Sequence, residues 1–287
     1  ALPEESNYLE NLYSINQKIQ QKVEIDQELY DIFVKTNELK EITNGYFDIS
    51  IGKIVKVWKD LVLDETLIYE EVPEELFQQT IVAIDSIEVV EEPFDLFIED
   101  GKYYIQINHE DVMLDLGAYA KGYATQIAYD YLKSLDRVYF SINAGTSSLS
   151  IGKQKTRESG IFYIGLSNPI PEQTTYRTYG MLYTHDISIN TSGNYVQYTN
   201  YNGLRYHHII SPKTKLPMQY YHTVTVLGQD AGLLDALSTA LFSMPEDDFN
   251  QFLDEYQDIY QLEIVRFNYD NTLTTYLKDT EFEDLRR

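Results

Sequence analysis

Apolar positions recur at helical spacing over Gln27–Ile42, where Leu29, Ile32, Phe33, Thr36 and Leu39 fall three and four residues apart. Thr43-Asn44-Gly45 follows and predicts the end of this helix, because Asn and Gly accept the left-handed backbone of a helix C-terminus. Ahead of it, Tyr8, Leu9, Leu12, Tyr13, Ile15 and Ile19 predict another helix by looser spacing, and residues 73–79, opened by Pro73, predict a third. A short apolar run ending at Trp58 lies between them. Short apolar or aromatic runs at 86–90, 96–99, 103–107 and 112–116 predict strands, with Gly101-Lys102 as a hairpin turn. Gly117 breaks the last run, and 118–132 returns to helical spacing. Further strands are expected at 138–142, 149–151, 161–166, 179–183 and 224–227, a loop at 169–178 and a helix at 230–244. A short acidic helix, strands at 259–267 and 272–276 and a charged tail close the chain. No internal repeat and no Pro/Gly/Ser-rich linker divides it. The pattern predicts one α+β (mixed α/β) unit, a largely antiparallel sheet core with packed helices.

Charge and composition narrow the partners. Over 287 residues the net charge is -24, so a nucleic-acid backbone or an anionic membrane surface would be repelled. A phosphorylated small ligand needs only a local site of backbone N–H groups, one Lys or a metal ion. There are no cysteines, which excludes disulfides, thiolate metal sites and Cys nucleophiles. The 26 tyrosines read as amphipathic packing residues, not as a site. No apolar stretch is long enough for a membrane-spanning helix.

Five segments carry candidate chemistry. Asp235 lies more than a turn inside the 230–244 helix among Leu234, Leu237, Ala240 and Leu241, and Thr239 sits four residues on, on the same face. A carboxylate there is either paired or on a metal, since burying it alone is costly. A carboxylate plus a hydroxyl suits Mg²⁺. Alternatively, Asp235 faces solvent or caps a neighbour, and Thr239 bonds back to a carbonyl. Residues 114–124 form a strand, a turn at Gly117 and a helix start with Lys121 in its first turn, which is an anion-attracting arrangement or a plain structural junction. Thr191-Ser192-Gly193 reads as a turn offering hydroxyls and backbone donors. His207 and His208 lie on an extended stretch and point to opposite faces, so one can face a site as a neutral general base while the other packs elsewhere. Asn143-Ala144-Gly145 ends a strand with small residues that let a flat ligand approach, or is a simple turn.

Taken together and in order, these segments resemble one family. Gly45-Tyr46-Phe47-Asp48-Ile49-Ser50-Ile51-Gly52 with Trp58, residues 115–122, Asn143-Ala144-Gly145, Thr191-Ser192-Gly193-Asn194-Tyr195, His208-Ile209-Ile210-Ser211-Pro212 and residues 235–241 are similar to the ApbE family of FAD:protein FMN transferases. The resemblance runs over about residues 11–244. It implies a single T-fold-like domain across 1–287, lacking the family's N-terminal strand and any signal or anchor segment. It implies Mg²⁺-dependent transfer of FMN from FAD to a Thr or Ser hydroxyl of an acceptor flavoprotein, with AMP released. By position, Asp235 and Thr239 match the metal's side-chain ligands and Ala118 its backbone-carbonyl ligand. His208 matches the His near the reacting phosphate, and Lys121, Tyr46, Asn143, Gly145, Thr191, Ser192 and Gly193 match the FAD pocket. The same resemblance implies an exported, lipid-anchored full-length protein. An FAD pyrophosphatase and a non-catalytic flavin-binding protein are the alternatives. Three positions depart from the family: Thr146 stands where a second Gly is frequent, Ser211 where Asp precedes the Pro, and Lys215 where Gly is usual.

Overall fold

A computed structural model of the chain describes residues 10–286 except 146 and 173. In chain order its elements are α1 (Leu12–Ile15), β1 (Lys22–Ile25), α2 (Gln27–Ile42), α3 (Gly52–Val62), α4 (Glu74–Asp85), β2 (Phe94–Glu99), β3 (Lys102–Ile107), α5 (Ala120–Ser134), β4 (Ser141–Ala144), β5 (Ser148–Ile151), β6 (Phe162–Ser167), β7 (Thr178–Thr184), β8 (Ile187–Gly193), β9 (Tyr198–Tyr201), β10 (Leu204–His207), β11 (Tyr221–Gly228), α6 (Ala231–Ser243), α7 (Glu246–Tyr260), β12 (Glu263–Asn268), β13 (Leu273–Tyr276) and β14 (Glu281–Asp284).

The frame of the site is a six-stranded antiparallel sheet in the order β13-β12-β11-β8-β5-β4. Its strand β11 is buried along its whole length because both faces are covered. Val224 and Val226 point to one side, where Leu234, Leu237 and Leu241 of α6 meet them. Leu227 points to the other, against Tyr179 and Leu182 of the smaller sheet β14-β7-β6. α6 is therefore apolar nearly all round, as expected of a helix sandwiched between a sheet and other helices. A third apolar cluster joins α3 and α4 to β9 and β10 through Trp58, Phe77 and Tyr201. Small serines let α6 lie close to the sheet, and Ser192 bonds Ser238 across that contact at 2.9 Å.

Several expectations are met in detail. α2 starts at Asp26, whose carboxylate accepts from the Leu29 N–H, and it ends where Asn44 and Gly45 turn left-handed. The β2–β3 hairpin turns at Asp100-Gly101, both with positive φ, one residue earlier than expected and in the geometry that suits the sheet's twist. Others are corrected. Residues 86–90 form no ladder, and of 112–116 only Met113 makes an isolated bridge, to Ile51. The first helix is one turn, with Tyr8 and Leu9 outside the described residues. Helix α7 runs on to Tyr260 and stops at left-handed Gln261, so the strand expected from 259 begins at Glu263. The strand expected at 138–142 is β4 at Ser141–Ala144. Thr191-Ser192-Gly193 is not a turn: it is the end of β8, held on one side by β11. The loop after His208 closes on Lys215, which takes the left-handed backbone (φ +61°) that Gly favours. Its carbonyl accepts the Trp58 indole N–H at 2.8 Å and its ammonium donates to the Ile87 carbonyl, which together hold the strained residue in place.

Candidate active site

Gly122 decides how α5 meets α6. A Cβ added there would sit 2.1 Å from the Ala231 carbonyl oxygen and 2.6 Å from the Asp235 Cβ. Only glycine lets the two helices approach so closely, and the approach brings the buried Asp235 carboxylate to the start of α5. Asp235 is 4% exposed, and its Oδ2 accepts the Gly122 N–H at 2.9 Å. Lys121 Nζ lies 3.4 Å from the same oxygen and donates to the Gly117 carbonyl at 3.0 Å. Because the Gly122 N–H is turned to Asp235, no backbone hydrogen bond among the described residues ends on the Ala118 carbonyl four residues back. Thr239 Oγ donates to the Asp235 carbonyl at 3.2 Å, which leaves its oxygen lone pairs free.

These groups open on a cavity of about 450 Å³, within the usual size range of small-molecule sites. The cavity is lined by Ala118, Lys121, Asp235 and Thr239 on the α5–α6 side, by Gly145 at the end of β4, by Thr191, Ser192 and Gly193 from β8, and by Tyr46 and His208. Of the site residues that the family resemblance assigns, only Asn143 is absent from the lining. It sits on the edge strand β4, exposed to solvent and paired through its backbone with Leu149.

The two histidines part as an extended stretch requires. His207 is fully buried, donates from Nε2 to the Met218 carbonyl at 3.1 Å and accepts the Ile209 N–H on Nδ1. Burial lowers its pKa to about 3, so it is a neutral core residue. His208 faces the cavity, and its buried Nδ1 has no hydrogen-bond partner. Burial pushes its pKa below the ordinary histidine value, against the effect of a Gln197 backbone contact, and the charges of Lys59 and Lys121 push it the same way as burial. It is thus a neutral imidazole at pH 7 with a free acceptor nitrogen.

Sequence reasoning missed Lys59. Gly52, Val55 and Lys59 share one face of α3 by their spacing and all line the cavity. That helical repeat was the available signal, masked by reading the segment only as an apolar run. Lys59 pairs with Asp115 at 3.1 Å, and Asp115 also accepts the Gly117 N–H at 2.7 Å, which shapes the turn before α5. Asp48 also lines the cavity, but its carboxylate is committed to the Ser50 N–H and hydroxyl and to Lys40.

The sequence model of the ApbE family matches residues 5–262. The chain belongs to the ApbE family. It is 27% identical over 233 residues to an FAD:protein FMN transferase of Rhodobacter capsulatus, covering 80% of this chain and 41% of that protein. To the FAD:protein FMN transferase of Haemophilus influenzae it is 26% identical over 239 residues, covering 82% of this chain and 65% of the relative. The chain thus spans less than two thirds of the length of these two relatives. A crystal structure of the ApbE protein of Thermotoga maritima superposes with a TM-score of 0.74 at 25% identity, over 92% of this chain and 80% of that one. The flavin transferase ApbE of Vibrio cholerae shares the fold at a TM-score of 0.68 and 22% identity, over 93% of this chain and 80% of that one.

In this ApbE-family cavity, no group of three or more His, Asp or Glu side chains gathers as a metal site among the described residues. A metal held here therefore depends on one carboxylate completed by neutral oxygens. Asp235, the Thr239 hydroxyl and the Ala118 carbonyl, which accepts no backbone hydrogen bond among the described residues, all line the cavity and are hard oxygens of the kind Mg²⁺ takes.

Proposed function

We propose that this chain transfers the FMN portion of FAD to a Thr or Ser hydroxyl of an acceptor flavoprotein, releasing AMP. The observation that carries the reading is the convergence of the buried Asp235, with Lys121 and the Ala118 carbonyl beside it, and the neutral His208 on one cavity. Family membership and the names of the two relatives support it. Asp235, Thr239 and Ala118 would hold Mg²⁺, which when bound would neutralise charge on the pyrophosphate. Lys121 adds a fixed positive charge at the same end, and the start of α5 aims its dipole there.

The His208 imidazole takes the proton of the acceptor hydroxyl as its oxygen forms a bond to the FMN-side phosphorus. The bond from that phosphorus to the bridging oxygen breaks, and AMP leaves with the electron pair. An imidazole already protonated at neutral pH could not serve, and burial keeps that of His208 neutral. The rows of β8, with Thr191, Ser192 and Gly193, offer hydroxyls and a bare backbone to the flavin end.

The test is to incubate the protein with FAD and Mg²⁺ and to follow AMP release with and without acceptor. AMP formed only with acceptor supports transfer. AMP and free FMN formed equally without acceptor would point to a pyrophosphatase, and intact FAD throughout to a flavin-binding protein.

A further inference from the structure

Tyr46 lines the cavity, yet its hydroxyl is bonded to a residue that does not. The phenol donates to Oδ2 of Asp248 at 2.5 Å, and the residue is only 9% exposed. Asp248 does not line the cavity. It stands in the first turn of α7, where a helix N-terminus favours a carboxylate. Burial first, and then the Asp248 bond, raise the phenol's pKa, so the proton stays on Tyr46 at working pH. From the loop after His208, Lys213 places its ammonium 5.6 Å from the centre of the Tyr46 ring.

α7 follows α6 across Met244 and Pro245, so the helical pair that carries Asp235 and Thr239 also carries Asp248. A tyrosine bordering an open cavity has two side-chain torsions to lose. Tying the hydroxyl to the α6–α7 pair fixes both and sets the ring at a constant separation from Asp235. Because the cavity is read above as a FAD site, we propose that Asp248 is a positioning residue for flavin-nucleotide recognition, holding the Tyr46 ring as the wall against which an aromatic ring of the substrate stacks. The substrate feature recognised is a planar aromatic group placed a fixed distance from a pyrophosphate.

The test is FAD binding to the full chain with Mg²⁺, read by flavin fluorescence, for Asp248→Ala, Asp248→Asn, Tyr46→Phe and the Asp248→Ala/Tyr46→Phe pair. Without the tether the ring must be ordered on binding, which predicts a rise in Kd of about 3- to 10-fold in Asp248→Ala and in Tyr46→Phe. The pair should bind FAD within about twofold of the weaker single variant, since both remove one interaction. Asp248→Asn keeps an acceptor oxygen and should recover to within about threefold of the parent. In Asp248→Ala the KM for FAD rises with Kd while kcat changes by no more than about twofold. An unchanged Kd in Asp248→Ala, with any loss confined to thermal stability, overturns the proposal, as do effects that multiply in the pair. If Asp248→Ala does not fold, Tyr46→Phe decides the matter, and parent-like affinity there overturns it. A parent protein that binds FAD but labels no acceptor removes the transferase reading and leaves this comparison intact. One that binds no FAD removes both.

Discussion

Replacing Gly122 with alanine probes the contact on which the site's geometry depends. The added methyl would lie 2.1 Å from the Ala231 carbonyl oxygen, 2.6 Å from the Asp235 Cβ and 2.8 Å from the Ala231 carbonyl carbon. Two of the three are backbone atoms of α6, so no side-chain rotation relieves the clash. α5 and α6 must separate by about 1 Å or more, in an interior packed like a crystal. Overpacking of this kind costs about 3 kcal/mol, the upper end of the usual range. For a chain of this size that corresponds to a melting temperature lowered by roughly 6–12 °C. The same shift lengthens the Gly122–Asp235 hydrogen bond and moves Asp235 away from Ala118 and Lys121. A displacement of about 1 Å in a positioning element can cost on the order of 100-fold in rate, so transfer should fall far more than stability alone explains. Gly203→Ala is the control. Gly203, unlike the helical Gly122, demands a left-handed backbone (φ +77°), but nothing lies within 4 Å of the added methyl, so its cost is backbone strain of about 1 kcal/mol. Calorimetry on both variants, with flavin transfer measured on folded protein, gives the comparison. A Gly122→Ala protein that melts no lower than Gly203→Ala and transfers FMN at the parent rate refutes the reasoning.

Three further outcomes follow from the geometry. FAD affinity measured by calorimetry should weaken when Mg²⁺ is omitted, because a chain of net charge -24 otherwise meets the pyrophosphate with Lys121 and Lys59 alone; equal affinities would contradict the metal assignment. The acid limb of the kcat/KM–pH profile should fall below the ordinary histidine value of 6.5, since burial lowers the His208 pKa, and a limb at or above 6.5 would exclude His208 as the base. His207 is neutral in the fold with a pKa of about 3 but takes up a proton near pH 6.5 when unfolded. The unfolded chain binds the extra proton between those values, so stability falls as pH drops from about 6.5 toward 3, by about 1.4 kcal/mol per pH unit for this one group. Urea titrations of the parent and of His207→Gln should differ by that slope, and parallel pH dependences would show that His207 is not the group responsible.

The elements that could be read from the sequence were those whose pattern is local. α2 carries its repeat and its left-handed exit within one segment, and Gly101 marked the β2–β3 hairpin to within one residue. Where partners lie far away in sequence, local chemistry misled. Thr191-Ser192-Gly193 has the composition of a turn, but β11 supplies a ladder that holds it as a strand. The stretch around His207 was read as extended, but β9 and its pairing with β10 passed unnoticed because their Tyr, Thr, Asn and Arg side chains carry no clear alternation. Position 215 looked like a disruption because a Lys stands where glycine suits the turn, and its stabilising bonds come from Trp58 and Ile87, more than a hundred residues away. At the site, Asp235 and Thr239 were legible as a pair one helical turn apart. Their meeting with Ala118 and Lys121 was not, because it depends on the missing side chain of Gly122 and on α5 crossing α6. Family resemblance supplied that link. The helical repeat that carries Lys59 was present but was read only as an apolar run, and neither resemblance nor periodicity pointed to Asp248.

The most direct test of the account mixes the protein with FAD, Mg²⁺ and a flavin-accepting domain, then separates the proteins on a denaturing gel and reads flavin fluorescence in the acceptor band alongside released AMP. The account predicts a fluorescent acceptor, AMP in equal amount, and loss of both in Asp235→Ala. A dark acceptor with FAD intact, or an Asp235→Ala protein that labels the acceptor as well as the parent, would contradict it.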